Sequence, residues 1–179
     1  MNKIEAIKVL RQWDKQGKFV FTKHELSKLF STDDSKTLTE GLCRLVTSGI
    51  LKRACRGIYV NTDAECRDAF VIEHIAKALR YGHYNYVSLE SILSEYGIIS
   101  QIPIDRLTVM TTGRKGLYKT SFGIIEFTHT KRSALDIINH IYSVDKRPLR
   151  LATKETAWRD LKRVGRNTAL VNLEDLSSE

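Results

Sequence analysis

Proline and glycine are scarce in this 179-residue chain: two prolines and ten glycines exclude collagen-like and low-complexity readings. No stretch approaches the roughly 18 uninterrupted apolar residues that a membrane helix requires, so no membrane partner is expected. The opening Met1-Asn2-Lys3-Ile4-Glu5 puts an acid where a secretory signal would begin its apolar core, and the expected location is cytoplasmic. Cysteine is sparse as well. Cys43, Cys55 and Cys66 are odd in number and form no Cys-x-x-Cys pair, and the five histidines are scattered. That excludes a disulfide framework and a structural zinc site, leaving three reduced thiols, no metal and no cofactor as the expectation. What is abundant is ordinary for a globular protein: 42% hydrophobic and 28% charged residues, too apolar for wholesale disorder.

The formal net charge is +8, unevenly spread. Residues 1–62 hold 12 basic and 6 acidic side chains, whereas the rest hold 17 and 15. A basic first third beside a near-neutral remainder points to a polyanion contact at the N-terminal end and a different task downstream.

Hydrophobic spacing divides the chain further. Ile4, Ile7, Leu10 and Trp13 mark an amphipathic first helix that Gly17 stops. Phe19-Val20-Phe21 is a short apolar stretch. Thr22 with Glu25 is a capping box opening a second helix through Phe30. Leu38, Leu42 and Leu45 line a third helix ending at Ser48-Gly49. Ile50–Cys55 and Ile58–Val60 read as a hairpin turning at Arg56-Gly57. Asn61-Thr62-Asp63 is a boundary loop, giving domains at 1–62 and 63–179. In the second, helices are expected over 65–81, 89–96 (with Ser88 as N-cap), 133–142 and from Thr153 to Val164. Strands are expected at 107–112, within 118–127 and at 149–152, and the acidic tail after Asn172 is expected to fray. The predicted class is α+β: an N-terminal winged helix-turn-helix followed by a small mixed α/β C-terminal domain.

Helix three carries the mechanism. With its leucines inward, the 100° step puts Lys36, Glu40, Cys43 and Thr47 on the opposite face, flanked by Thr39 and Arg44. Such a helix fits the major groove of double-stranded DNA, its N-terminal side chains at base edges and its N–H groups at phosphate. Lys36, Thr37 and Thr39 are candidate donors, Arg44 suits phosphate or guanine, and Glu40 suits a cytosine amino group. Lys52, Arg53 and Arg56 on the hairpin supply sequence-independent phosphate affinity. The same layout also serves a tri-helical protein-interaction domain whose edge strand carries protective charges.

The wing Gly49-Ile50-Leu51-Lys52-Arg53-Ala54-Cys55-Arg56-Gly57-Ile58-Tyr59-Val60 resembles that of AbiEi-type antitoxins from type IV toxin–antitoxin, or abortive infection, systems. The likeness continues in Tyr86-Val87-Ser88-Leu89-Glu90-Ser91-Ile92-Leu93, in Leu107–Thr112 with Gly113-Arg114, in Thr120-Ser121-Phe122-Gly123 before a strand ending at His129, and in Leu151-Ala152-Thr153-Lys154-Glu155-Thr156-Ala157. It spans about residues 3–163; Lys154 stands where that family commonly has proline. The resemblance implies a bacterial antitoxin that represses its own promoter by binding inverted repeats. It also implies that the second domain counteracts a nucleotidyltransferase-like toxin without a stable complex.

No catalytic constellation is legible in the second domain. His74, His83, His129 and His140 share no metal-ligand spacing, Ser88 and Ser91 lack a Gly-x-Ser-x-Gly elbow, and Gly113-Arg114-Lys115-Gly116 is too short for a phosphate loop. Glu90, Glu95 and Asp105 read as solvated acids. The protein is not expected to be an enzyme. Two basic patches stand out: Arg114 and Lys115 with Lys119, and Arg150, Lys154, Arg159, Lys162, Arg163 and Arg166 with Lys146-Arg147. Arg159, Lys162, Arg163 and Arg166 share one helix flank, read equally as capping electrostatics or as a nucleic-acid contact. A winged-helix regulator with a ligand-sensing or protein-interaction second domain is the alternative reading.

Overall fold

The computed structural model describes residues 2–99 and 105–177. Among them the chain is α+β, with eight α-helices and two sheets, and it divides into two compact units, residues 1–79 and 80–179. The division expected at Asn61-Thr62-Asp63 therefore lies 17 residues later by the boundary of the compact units. The reason is a helix, Val71–Leu79, that buries Ile75 and Ala76 and packs on strands of the N-terminal unit.

The N-terminal unit runs α1 (Lys3–Asp14), β1 (Val20–Thr22), α2 (Lys23–Leu29), α3 (Ser35–Thr47), β2 (Leu51–Cys55), β3 (Ile58–Asn61) and α4 (Val71–Leu79). Its sheet is antiparallel in the order β1-β3-β2, so the hairpin's second strand sits at the centre. Ala6 and Leu10 of α1, Leu26 of α2, and Leu38, Leu42 and Leu45 of α3 close one core over Phe21, Leu51 and Tyr59. Thr22 and Glu25 exchange both bonds of the capping box, 2.8 and 3.0 Å long, which fixes the start of α2 directly after β1. At the end of α3, Gly49 takes φ +76° and the Ile50 N–H reaches back to the Leu45 carbonyl at 3.1 Å. That left-handed stop turns the chain straight into β2.

The segment before α4 is tied to α1. The Asp14 carboxylate accepts the Glu65 and Cys66 N–H groups at 3.0 and 2.9 Å. Hydrogen bonds from Cys66 hold the Asp14 carboxyl below its ordinary value, and burial with that carboxylate beside it pushes the Cys66 thiol up to about 12. Cys66 is thus an inert thiol.

The C-terminal unit contains β4 (Asn85–Val87), α5 (Leu89–Glu95), β5 (Arg106–Thr111), β6 (Gly116–Thr120), β7 (Gly123–His129), α6 (Ala134–Asn139), β8 (Ile141–Tyr142), β9 (Arg150–Ala152), α7 (Lys154–Val164) and α8 (Leu173–Ser177). Its six-stranded sheet has the order β6-β7-β5-β4-β9-β8, with β5–β7 and β4–β9 parallel and the other pairs antiparallel. α5 and α7 pack together. Three expectations change here, the first being that the helix expected over 133–142 ends at Asn139 because Ile141 and Tyr142 pair with β9 as β8. Ser88 makes no cap bond to α5; its hydroxyl donates instead to Asp160 of α7 at 2.8 Å. Of the tail after Asn172, Leu173–Ser177 form α8 and residues 178–179 lie outside the described residues; the Asn172 N–H donates to the Ile98 carbonyl at 3.1 Å, which ties the start of that helix down.

Candidate nucleic-acid interface

The sequence of α3 fixes which side faces water. Leu38, Gly41, Leu42 and Leu45 are buried, while Lys36, Thr39, Glu40, Cys43, Arg44 and Thr47 are exposed. Lys36, Glu40, Cys43 and Thr47 lie together opposite the leucines, as 3.6-residue periodicity requires. A polar ridge one side chain deep runs the length of the helix.

The details of its N-terminus redistribute the candidate roles. Asp34 is the N-cap, and its carboxylate accepts the Thr37 N–H at 2.7 Å. Bonds from Thr37 hold the Asp34 carboxyl below its ordinary value, so an anion already occupies the helix N-terminus at neutral pH. The main-chain N–H groups expected to meet phosphate therefore serve Asp34 first. Thr37 is half-buried. Thr39 is also committed: its hydroxyl donates to the Ser35 carbonyl at 2.7 Å and accepts from Lys23 Nζ at 3.0 Å. A hydroxyl with its one proton spent within the helix offers a base edge only an acceptor. Lys36, Glu40 and Arg44 are exposed.

Two cations that periodicity did not single out join them. Lys3 of α1 lines a small cleft with Gly41, Arg44 and Leu45, placing two positive groups at one flank of α3. Lys23, at the first position of α2, supports the other flank through Thr39. Neither was legible, because both reach α3 through tertiary packing.

The hairpin is short and braced. Gly57 takes φ +80° in a two-residue turn, and its carbonyl accepts the Lys23 N–H at 2.7 Å. β2 buries Leu51 and Ala54 and exposes Lys52 and Arg53 between them, with a bulge between Arg53 and Cys55. Arg56 is exposed at the turn. A bulge adds local twist and re-aims the side chains that follow it. Burial lifts the Cys55 thiol above its ordinary value, against the pull of Arg53.

The C-terminal basic residues do not form one patch. Arg166 is taken out of it altogether. Its Nε and Nη2 bond both oxygens of Glu90 at 2.8 and 3.2 Å, and its Nη1 bonds Glu126, which also accepts from Arg106 at 3.1 Å. Burial would raise the Glu90 carboxyl, but Arg166 and Asn167 outweigh it and bring it below its ordinary value. The residue read as a surface cation is a structural clamp between α5 and β7. Arg159 lies 3.9 Å from Asp136, Lys162 sits over the Trp158 ring at 5.1 Å and Lys154 over the Tyr96 ring at 5.9 Å. Arg150 and Lys119 are exposed on β9 and β6. Arg163 diverges from its helix neighbours, donating to the His129 carbonyl at 3.3 Å. The ring of the same histidine bonds the Gly113 carbonyl, next to Arg114, at 2.8 Å.

Asp160 is the most buried charge among the described residues of this unit. It accepts from Ser88 and Tyr86 and pairs with Arg132 at 2.8 Å. Burial raises its carboxyl above the ordinary value despite those partners. Among the described residues no group of three or more His, Cys, Asp or Glu side chains could hold a metal ion, and no helix is long and apolar enough to cross a membrane. No protein-family model matches the chain, and no curated protein matches it either.

Proposed function

We propose that the N-terminal unit is a winged helix-turn-helix that binds double-stranded DNA, with α3 in the major groove and the β2–β3 hairpin on the flanking phosphates. The observation that carries this reading is the joint exposure of the α3 ridge and of Lys52, Arg53 and Arg56 within one compact unit. The order helix, strand, helix, helix, hairpin, with β1 paired to the hairpin's second strand, supports it. Lys36 and Glu40 read base edges, Arg44 with Lys3 holds the backbone on one side, and the hairpin cations hold it on the other. Thr39 positions Lys23 rather than reading a base.

On this reading, together with the sequence resemblance, the protein is an autoregulatory repressor and antitoxin. It binds inverted repeats in its own promoter and counteracts a nucleotidyltransferase-like toxin, acting without catalysis. The experiment compares wild type with Lys36→Ala and Glu40→Ala on the promoter duplex and on a scrambled duplex. Loss of discrimination, with scrambled-duplex affinity changed little, supports groove reading; removing one base-edge hydrogen-bonding group lowers discrimination by about 1–3 kcal/mol. Equal affinity of the wild type for both duplexes would refute it.

A further inference from the structure

The C-terminal unit opens on a tight loop whose side chains stand in water although its backbone is pinned. The His83 N–H donates to the Arg80 carbonyl at 3.2 Å, and the Asn85 amide donates to the Arg80 and His83 carbonyls, both at 2.9 Å. Asn85 is itself fixed by the Thr111 hydroxyl at 2.7 Å. Tyr84 is held at both ends by Thr112, whose N–H donates to its carbonyl and whose hydroxyl accepts its N–H, each at 3.1 Å. The Arg80 side chain crosses to the loop after β5, bonding the Arg114 carbonyl at 2.9 Å and the Tyr118 hydroxyl at 3.0 Å. Gly113 packs so tightly here that a Cβ would come within 3.0 Å of the His83 ring.

On this braced frame Tyr81 is 86% exposed and Tyr84 43%. Arg114 and Lys115 are exposed beside them, and Arg163 joins through His129. Residues 80–84, 111–119 and 128–132 contain no aspartate or glutamate. Exposed aromatic rings on a pinned backbone beside Arg114 and Lys115 match the chemistry of unpaired bases on a phosphate chain, and Asp160, the carboxylate that acts on Arg163 from α7, is fully buried and paired with Arg132. A duplex hides its base faces and would leave both rings without a partner.

We propose that this end of the C-terminal sheet binds single-stranded nucleic acid. Tyr81 and Tyr84 stack on bases, and Arg114, Lys115 and Arg163 hold the backbone. This surface is independent of the DNA reading of α3. The test uses the full-length protein and three fluorescein-labelled probes: an unstructured RNA of about 12 nucleotides, single-stranded DNA of the same sequence, and a hairpin duplex. Tyr81→Ala with Tyr84→Ala lowers single-strand affinity about tenfold per ring and leaves duplex binding unchanged. Arg114→Ala with Lys115→Ala lowers it too and flattens its salt dependence, whereas Arg53→Ala with Arg56→Ala leaves it intact. The RNA and DNA arms decide whether the 2′-hydroxyl contributes. Absence of single-strand binding would overturn the proposal. So would unchanged affinity in a tyrosine variant whose circular dichroism is native, or loss of single-strand binding in the Arg53/Arg56 variant.

Discussion

Arg166→Met is the substitution whose outcome the C-terminal geometry fixes most closely. The guanidinium is one-third exposed, but Glu90, which it grips through two bonds, is 8% exposed and Glu126 is 16% exposed. Met fills the space of the aliphatic stem and leaves Glu90 with the Asn167 amide, 2.9 Å away. Breaking a buried pair from one side costs about 3–5 kcal/mol, and discounting for the guanidinium's exposure gives about 2–3 kcal/mol. For a unit of about 100 residues that lowers the midpoint of thermal unfolding by about 10 °C or more. The pH dependence has a definite sign. A carboxyl lowered in the folded state adds stability above its unfolded pKa, 4.5 for Glu90, and loses it as pH falls through the folded value. The gap between wild type and variant is therefore largest at neutral pH and narrows as pH falls through the carboxylate range. Adding Glu90→Gln to Arg166→Met recovers part of the loss, because the most buried carboxylate of the clamp is then neutral, while Glu126 keeps only Arg106 among the described residues. Circular dichroism melts from pH 7 to pH 4 measure all three. An unchanged midpoint at pH 7, or a gap independent of pH, would refute the clamp.

Thr22→Ala removes one half of the capping box and is expected to destabilise the N-terminal unit by about 1 kcal/mol, read from urea unfolding. A fragment of residues 1–79 is expected to unfold cooperatively and to retain weak duplex binding. A fragment of residues 1–62 lacks α4 and the packing of Ile75 and Ala76, so it is expected to melt well below the longer one. Equal midpoints for the two fragments would show that α4 does not belong to that unit's core.

The N-terminal unit was largely legible because its signals are local. The Thr22–Glu25 box, the leucines at 38, 42 and 45 and the Arg56-Gly57 turn each depend on neighbours within a few residues, and all appear where spacing puts them. The ends of the elements that rest on distant contacts were not. Residues 65–70, expected to be helical, lie ahead of α4 because Asp14 draws the Glu65 and Cys66 N–H groups away, and Asp68 accepts the Phe70 N–H at 2.8 Å. Ser88 has the identity of a cap and the partner of a core residue, Asp160, 72 positions away. Arg166 continues the spacing of Arg159, Lys162 and Arg163, yet it follows Gly165, whose left-handed φ of +73° ends α7 and turns the side chain inward to Glu90. Charge periodicity along a helix says nothing about a residue beyond its cap. Within the site, the commitment of Thr39 to Lys23 likewise depends on two helices meeting.

Association of the full-length chain with a labelled duplex from its own promoter, titrated at several salt concentrations, tests DNA recognition most directly. Removing one cation that neutralises a phosphate reduces the slope of log affinity against log salt by about one. Arg53→Ala with Arg56→Ala is therefore expected to weaken binding to promoter and scrambled duplexes alike and to flatten the slope by about two. A wild-type slope near zero, or a slope that the double substitution leaves unchanged, would contradict the assignment of the hairpin as a phosphate clamp beside a groove-reading helix.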